Sequence, residues 1–207
     1  MSDLQGEKPV TDFDALYAQS DDPWHIENRW YERRKRALIL ASLPFEIADL
    51  IVELGCGAGV FSQLLAKRCT RLLACDVSQK AIVLARERLA NTTNVHLSCH
   101  KIPHQWPAMQ QATADCIVLC ELGYYLTPAE LPLLIGHIAA SLKPAGSLVA
   151  CHWQAEFQGR TLATHALHGA LATGLGLETV VHHVEQDFLL DVWSKDGRSV
   201  ARQEGFA

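Results

Sequence analysis

From Leu50 onward, short β-branched or apolar runs alternate with longer segments whose apolar residues recur at helical spacing. That rhythm is expected of parallel strands joined by crossover helices. The strand-length runs are Leu50 to Leu54, Leu72 to Asp76, Val95 to Cys99, Asp115 to Glu121 and Ser147 to Trp153. Between them, Phe61, Leu64, Leu65 and Arg68 describe one helical face, and Ile82, Ala85 and Leu89 describe the next. Upstream, Trp30 to Leu43 mixes apolar and basic positions at helical spacing until Pro44 closes it.

The fourth crossover opens with Thr127-Pro128-Ala129-Glu130, where Thr127 can cap, Pro128 suits a first turn and Glu130 can reach back as a capping box. Pro132 would delete a backbone hydrogen bond in a helix begun at Pro128, so the regular helix is also compatible with a start near Glu130. The stripe Leu131, Leu134, Ile135, Ile138 and Leu142 holds for either start. Past Trp153, Thr161 to Ala172 reads helical, and Thr179 to Val184 with Phe188 to Trp193 are close enough to form a hairpin. The expected fold is α/β, a doubly wound Rossmann-like sheet, mostly parallel with an antiparallel last strand. With no repeat or linker in the pattern, residues 1–207 read as a single domain.

Composition narrows the function. A chain of 207 residues with 49% apolar residues can bury one sizeable core. The pattern shows neither a signal-peptide start nor an apolar run of about 20 residues, so the expected location is cytoplasmic, away from membranes. Seven cysteines, odd in number and without a C-x-x-C pair, fit reduced and buried thiols. A net charge of -5 supplies no basic field beyond Arg33, Arg34, Lys35 and Arg36, which argues against nucleic acid as a partner. Ten histidines raise the question of a metal. His96, His100 and His104 cross from a strand into a loop broken by Pro103, and with His165 and His168 no cysteine pair completes a site, so none is expected.

The strongest local signal is Glu53-Leu54-Gly55-Cys56-Gly57-Ala58-Gly59, where the first strand turns into the first helix. Glycines let the backbone take positive φ and approach a ligand, and the following helix offers free N–H groups. Asp76 ends the second strand about 20 residues on, where an acid accepts hydrogen bonds from both ribose hydroxyls. A nucleoside cofactor is implied. The dinucleotide fingerprint wants Gly or Ala at its sixth position, and here that position is Val60, which disfavours a nicotinamide cofactor.

The acid, the hydrophobic residue and G-x-G-x-G of Glu53 to Gly59 resemble the first motif of the class I S-adenosylmethionine (SAM)-dependent methyltransferases. The resemblance extends through Asp76, Asp115 to Glu121 and Leu142-Lys143-Pro144-Ala145-Gly146. Phe13-Asp14-Ala15-Leu16-Tyr17, Asp22-Pro23-Trp24, Trp30-Tyr31-Glu32 and Glu121-Leu122-Gly123-Tyr124-Tyr125-Leu126 are similar to the nodulation N-methyltransferase (NodS) family. That family methylates the amine of a deacetylated chito-oligosaccharide, and its segment before the sheet lies over the cofactor. Residues 1–45 would then be a helical cap and 46–207 the α/β core.

The resemblance implies SAM as cofactor and S-adenosyl-L-homocysteine as product. Gly55, Cys56, Gly57 and Gly59 would pass the methionine part, Asp76 would hold the ribose and Val77 would pack on the adenine. Glu53 is expected near the ammonium, a role compatible with one in steadying the glycine loop. Relatives often carry an Asp after the third strand; here Ser98-Cys99-His100-Lys101-Ile102 lacks it, leaving His100 or a backbone N–H near Lys101 to read the base. Ile102 and Cys120 complete the expected cofactor set. Trp24, Tyr31 and Arg34 could close over the cofactor, Arg34 being suited to a carboxylate, although a solvated basic face is the competing reading.

Methyl transfer needs a lone pair aimed at the sulfonium carbon, and an amine must first lose its proton. Glu121 and His152, at the carboxyl ends of the fourth and fifth strands, are the candidates for general base or substrate anchor, with Tyr124 and Tyr125 walling the acceptor pocket. The expected acceptor is a small molecule bearing an amine, such as an amino sugar. An oxygen acceptor, a non-catalytic SAM-binding module and a NAD-dependent oxidoreductase are the alternatives. Nothing in the pattern specifies the oligomeric state.

Overall fold

The structure, a computed structural model, describes residues 11–206; residues 1–10 of the expected cap lie outside the described part. Its seven strands are β1 Ala48–Leu54, β2 Cys69–Asp76, β3 Val95–Cys99, β4 Ala114–Cys120, β5 Leu142–Trp153, β6 Glu178–Val184 and β7 Phe188–Ser194. They form one sheet in the order β3-β2-β1-β4-β5-β7-β6. Strands β1 to β5 pair in parallel, and β7 lies antiparallel to both β5 and β6. The sheet read from the hydrophobic rhythm is the one observed, with strand boundaries shifted by a few residues.

The helices are α1 Phe13–Gln19, α2 Trp30–Ala41, α3 Ser62–Leu65, α4 Gln79–Arg88, α5 Leu131–Ser141, α6 Thr164–Leu175 and α7 Val200–Gln203. The pattern did not predict α1, capped by Asp12 whose Oδ1 accepts from the Ala15 amide at 2.9 Å. Ser78 caps α4 in the same way, and α6 stops at Gly176 in the left-handed conformation. At α5 the competing starts resolve to Leu131, which places Pro132 in the first turn, where it removes no helical bond. Glu130 Oε2 does reach back to the Thr127 amide and hydroxyl, each at 2.8 Å.

Strand periodicity sorts side chains between the two faces of the sheet. On β1, Leu50, Val52 and Leu54 join the layer covered by α5 and α6, while Ile51 joins the opposite layer with Ile39 of α2 and Leu65 of α3. On β5, Val149 and Cys151 share the α2 face, and Leu148 and Ala150 share the α6 face. Burial on both faces makes these strands almost uninterruptedly apolar. Arg68 ties the cap to this frame by donating to the carbonyls of Leu40, Phe45 and Glu46 at 3.1, 2.5 and 2.6 Å, occupying acceptors near the C-terminal end of α2.

All seven cysteines are free, five of them buried and Cys120 half-buried; Cys99 departs from the expected burial because it is exposed. No helix among the described residues is long and apolar enough to cross a membrane.

Candidate active site

Between β1 and β4 the strand order reverses, and the carboxyl ends of these strands open a crevice of the kind that binds ligands in open α/β sheets. Helices α1 and α2 cover it, leaving a cavity of about 1590 Å³. Single-ligand pockets run to about 300–1,000 Å³, so this one has room for a nucleoside and a second molecule. Its lining runs from Asp76, Val77, His100, Lys101 and Ile102 at one end to Glu121, Tyr125 and Trp153 at the other.

At the first end the glycine loop fits a ligand backbone closely. Gly55 and Gly57 have φ of +79° and +53°, and a Cβ on Gly57 would lie 2.7 Å from Tyr17 Oη. The Gly55 and Cys56 amides both donate to the Cys75 carbonyl, at 2.8 and 2.9 Å, which fixes the loop on β2. Asp76 receives the Gly57 amide on Oδ2 and the Ser78 amide on Oδ1, each at 2.9 Å. Each oxygen keeps lone-pair capacity for a hydroxyl. Burial raises the Asp76 pKa despite these bonds. Gly59 plays a different part from the one expected: it does not line the cavity, and a Cβ there would press on Ala85 of α4 at 3.1 Å.

Glu53 is buried beside this loop and accepts a 2.5 Å hydrogen bond from the Ser62 hydroxyl. Burial pushes its pKa up to about 8, a rise that the Ser62 bond partly offsets. It both lines the cavity and braces the start of α3, so the two roles read from the sequence coexist geometrically. Past β3, His100 faces the cavity, but the Lys101 amide already donates to Gln105 Oε1 at 2.8 Å, which removes the simplest backbone donor for a base.

Trp24 and Tyr31 line the cavity from the cap; Arg34 does not. Its guanidinium makes two 2.7 Å bonds with Glu185 beyond β6, on the outer side of α2. Lys35 and Arg36 turn inward in its place and are buried. Lys35 Nζ bonds Glu32 Oε1 at 3.0 Å and Glu121 Oε1 at 2.6 Å, and lies 5.0 Å from the centre of the Tyr31 ring. Burial acts to lower its pKa, but the Glu121 and Glu32 carboxylates overcome that and hold it above the lysine range. Sequence reasoning missed this lysine because its partner is 86 positions away.

Glu121 stands at the second end in the left-handed region, with φ of +54°, a conformation unfavourable for a side chain and frequent at functional sites. Its Oε2 receives the Tyr124 hydroxyl at 2.6 Å and the Trp153 amide at 3.0 Å. Beside it, the Tyr31 hydroxyl is the one buried side-chain oxygen or nitrogen among the described residues without a hydrogen-bond partner. A buried polar group left unpaired costs about 1–3 kcal/mol, a cost the fold carries at this position.

His152 is not in the cavity. Parity along β5 puts it with Leu148 and Ala150 on the α6 face, fully buried, while Trp153 takes the cavity face. Its Nε2 accepts from the Gly123 amide at 3.1 Å and its Nδ1 meets His168 Nε2 at 2.9 Å. Burial holds its pKa well below the histidine range. The expected role as a base or anchor in contact with substrate is therefore corrected, and the alternation of Leu148, Ala150 and His152 was the available signal.

The strand order, the G-x-G-x-G loop after β1 and the acid ending β2 define a class I methyltransferase architecture. Comparisons with known proteins agree. The family described as "Methyltransferase domain" matches residues 51–146. A Pseudomonas syringae protein described as a methyltransferase has a solved structure with 48% identity, covering 80% of this chain and 99% of that one, at a TM-score of 0.71. The N-methyltransferase NodS of Bradyrhizobium japonicum WM9, solved with S-adenosyl-L-homocysteine, is 26% identical over 87% of this chain and 96% of its own, at a TM-score of 0.76. Nodulation protein S of Rhizobium tropici is 32% identical over 133 residues, 63% of this chain and 54% of the relative. The chain thus spans about half to two thirds of the length of the first curated relatives that it matches. The chain is a class I methyltransferase in fold, and it is similar to the NodS proteins.

Proposed function

We propose that this chain transfers a methyl group from SAM to a small-molecule acceptor, with an amine nitrogen as the acceptor atom. The observation that carries this reading is one continuous cavity that joins the glycine loop and Asp76 to Glu121, Tyr124 and Tyr125. The adenosylhomocysteine bound by NodS supports the cofactor. SAM, when bound, supplies an electrophilic methyl group on sulfur.

The residues divide the work by position. Asp76 accepts from the ribose hydroxyls, Val77 and Ile102 pack on the base beside His100 and Lys101, and Gly55, Cys56 and Gly57 give the methionine part room along the backbone, with Cys120 below. Glu53 accepts from the ammonium. Arg36 takes the carboxylate role that the sequence suggested for Arg34, because Arg36 is the guanidinium that α2 turns inward. Residues 1–45 act as the cap, with Trp24 and Tyr31 closing on the cofactor. Glu121, oriented by Lys35, Tyr124 and the Trp153 amide, anchors the acceptor ammonium and accepts the proton that must leave before the nitrogen lone pair can attack. Tyr124 and Tyr125 wall that end. An amino sugar, as in the NodS resemblance, is the first acceptor class to try.

The test is methyl transfer from labelled SAM to a panel of primary amines, deacetylated chito-oligosaccharides and matched alcohols. Label in an amine product supports the reading. Label only in alcohols makes the protein an O-methyltransferase, and tight SAM binding without transfer to any of them favours a binding module.

A further inference from the structure

Behind the corner that carries Glu121 runs a buried chain of hydrogen bonds for which the cavity chemistry has no use. The Gly123 amide donates to His152 Nε2 at 3.1 Å, His152 Nδ1 meets His168 Nε2 at 2.9 Å, and His168 Nδ1 meets Asp191 Oδ2 at 2.6 Å. Asp191 Oδ1 lies 2.6 Å from Nδ1 of His182, which reaches the surface. Asp191 sits on β7 and His168 on α6.

Donor counting leaves one assignment. An amide N–H can only donate, so His152 Nε2 is an acceptor and its proton is on Nδ1. His168 Nε2 must then accept, which puts the His168 proton on Nδ1, facing the Asp191 carboxylate. Asp191 thus selects the tautomer of both rings. The opposite tautomers would set an Nε2–H of His152 against the Gly123 N–H. Burial makes that mismatch costly.

The held amide belongs to the turn Gly123–Tyr125, which places Tyr124 against Glu121 and the ring of Tyr125 in the cavity. Leu122, next to it, packs on the glycine loop: a Cβ on Gly55 would lie 2.8 Å from Leu122 Cδ1. Gly123 has no room for a side chain, since a Cβ would meet Leu167 at 2.6 Å and His152 Nε2 at 3.1 Å. The corner is therefore gripped from behind by a ring that packs edge-on against Tyr124 without itself lining the cavity.

We propose that His168 and Asp191 are positioning residues, which hold His152 in its Nδ1–H tautomer and through it fix the Gly123 corner against the glycine loop. The inference rests on the cofactor reading only where adenosylhomocysteine binding is the readout.

The experiment combines ¹⁵N NMR of the imidazoles in the ligand-free protein with titration of adenosylhomocysteine into wild type, His168→Leu and His168→Gln. The wild type is expected to show Nδ1–H tautomers at His152 and His168. His168→Leu removes the acceptor for His152 Nδ1–H; the ring must then either leave a buried donor unpaired or turn to Nε2–H and release the Gly123 amide, so its hydrogen-bonded Nδ1–H signal is lost, and adenosylhomocysteine binds roughly three- to tenfold more weakly, the size of one buried hydrogen bond. His168→Gln, whose amide oxygen can take the place of Nε2, restores both readings, which a role in packing alone would not produce. Nε2–H at His152 in the wild type overturns the proposal even if His168→Leu fails to fold. So does a His168→Leu protein with unaltered affinity, or a His168→Gln protein no better than His168→Leu. No binding by the wild type overturns the cofactor reading, and the tautomers still decide the positioning claim.

Discussion

At the glycine-loop end of the cavity, Gly55, Gly57 and Asp76 are separated by about 20 residues and act largely through backbone amides; at the β4–β5 end, Lys35 and Glu121 meet across 86 positions through their side chains. The first end follows from local rules: glycine where φ is positive, and an acid at a strand terminus. The second end depends on which face of a helix or strand turns inward once the sheet has closed. Local chemistry writes the cofactor end into a short motif, and tertiary packing assembles the acceptor end.

The contrast is open to attack. The largest effect is expected at the packed end. Lys35→Met leaves Glu32 and Glu121 without their ammonium and should destabilise the fold by about 3 kcal/mol, at the low end for a broken buried pair because Glu121 is partly exposed. Denaturant unfolding measures this, and adding Glu32→Gln should recover part of the loss. Next comes Asp76→Ala, which removes charged acceptors from the ribose. Adenosylhomocysteine affinity should fall about 100-fold, two such bonds being worth about 1.5 kcal/mol each.

A smaller effect concerns Glu53, whose pKa stands near 8 against an ordinary 4.5. Because the folded value is raised, the stability it contributes is complete below pH 4.5 and is lost as pH rises through 8. A ligand ammonium favours the ionised form instead. Adenosylhomocysteine affinity should therefore climb with pH up to about 8, by at most about tenfold per unit, with a proton released on binding. Calorimetry in buffers of different ionisation enthalpy reads that proton, and Glu53→Gln should remove the slope. The smallest effect is at Arg34: since its guanidinium pairs with Glu185, Arg34→Ala should leave adenosylhomocysteine affinity unchanged.

The same contrast explains what the sequence could convey. Sheet topology and the motif from Glu53 to Gly59 were legible because both are periodic or local signals. Tyr31, Glu121 and Tyr124 line the cavity from helix and strand ends at the crevice, inside motifs that the family resemblance had already marked. Arg34 was chosen over Arg36 because four consecutive basic residues spread around the whole helix and do not say which one faces inward; docking of Ile39 on the sheet decides that. His152 was misread although β5 alternates clearly, since nearness to the strand end was weighed above parity. The chain from His152 to Asp191 joins β5, α6 and β7, and no local pattern carries it.

The central claim is that the cavity is made for an adenosyl sulfur cofactor and not for a dinucleotide. Calorimetric titration with S-adenosyl-L-homocysteine, with NAD and NADH run under the same conditions, tests it most directly. The account predicts saturable binding of adenosylhomocysteine alone; preference for NAD or NADH, or no binding by any of the three, would contradict it.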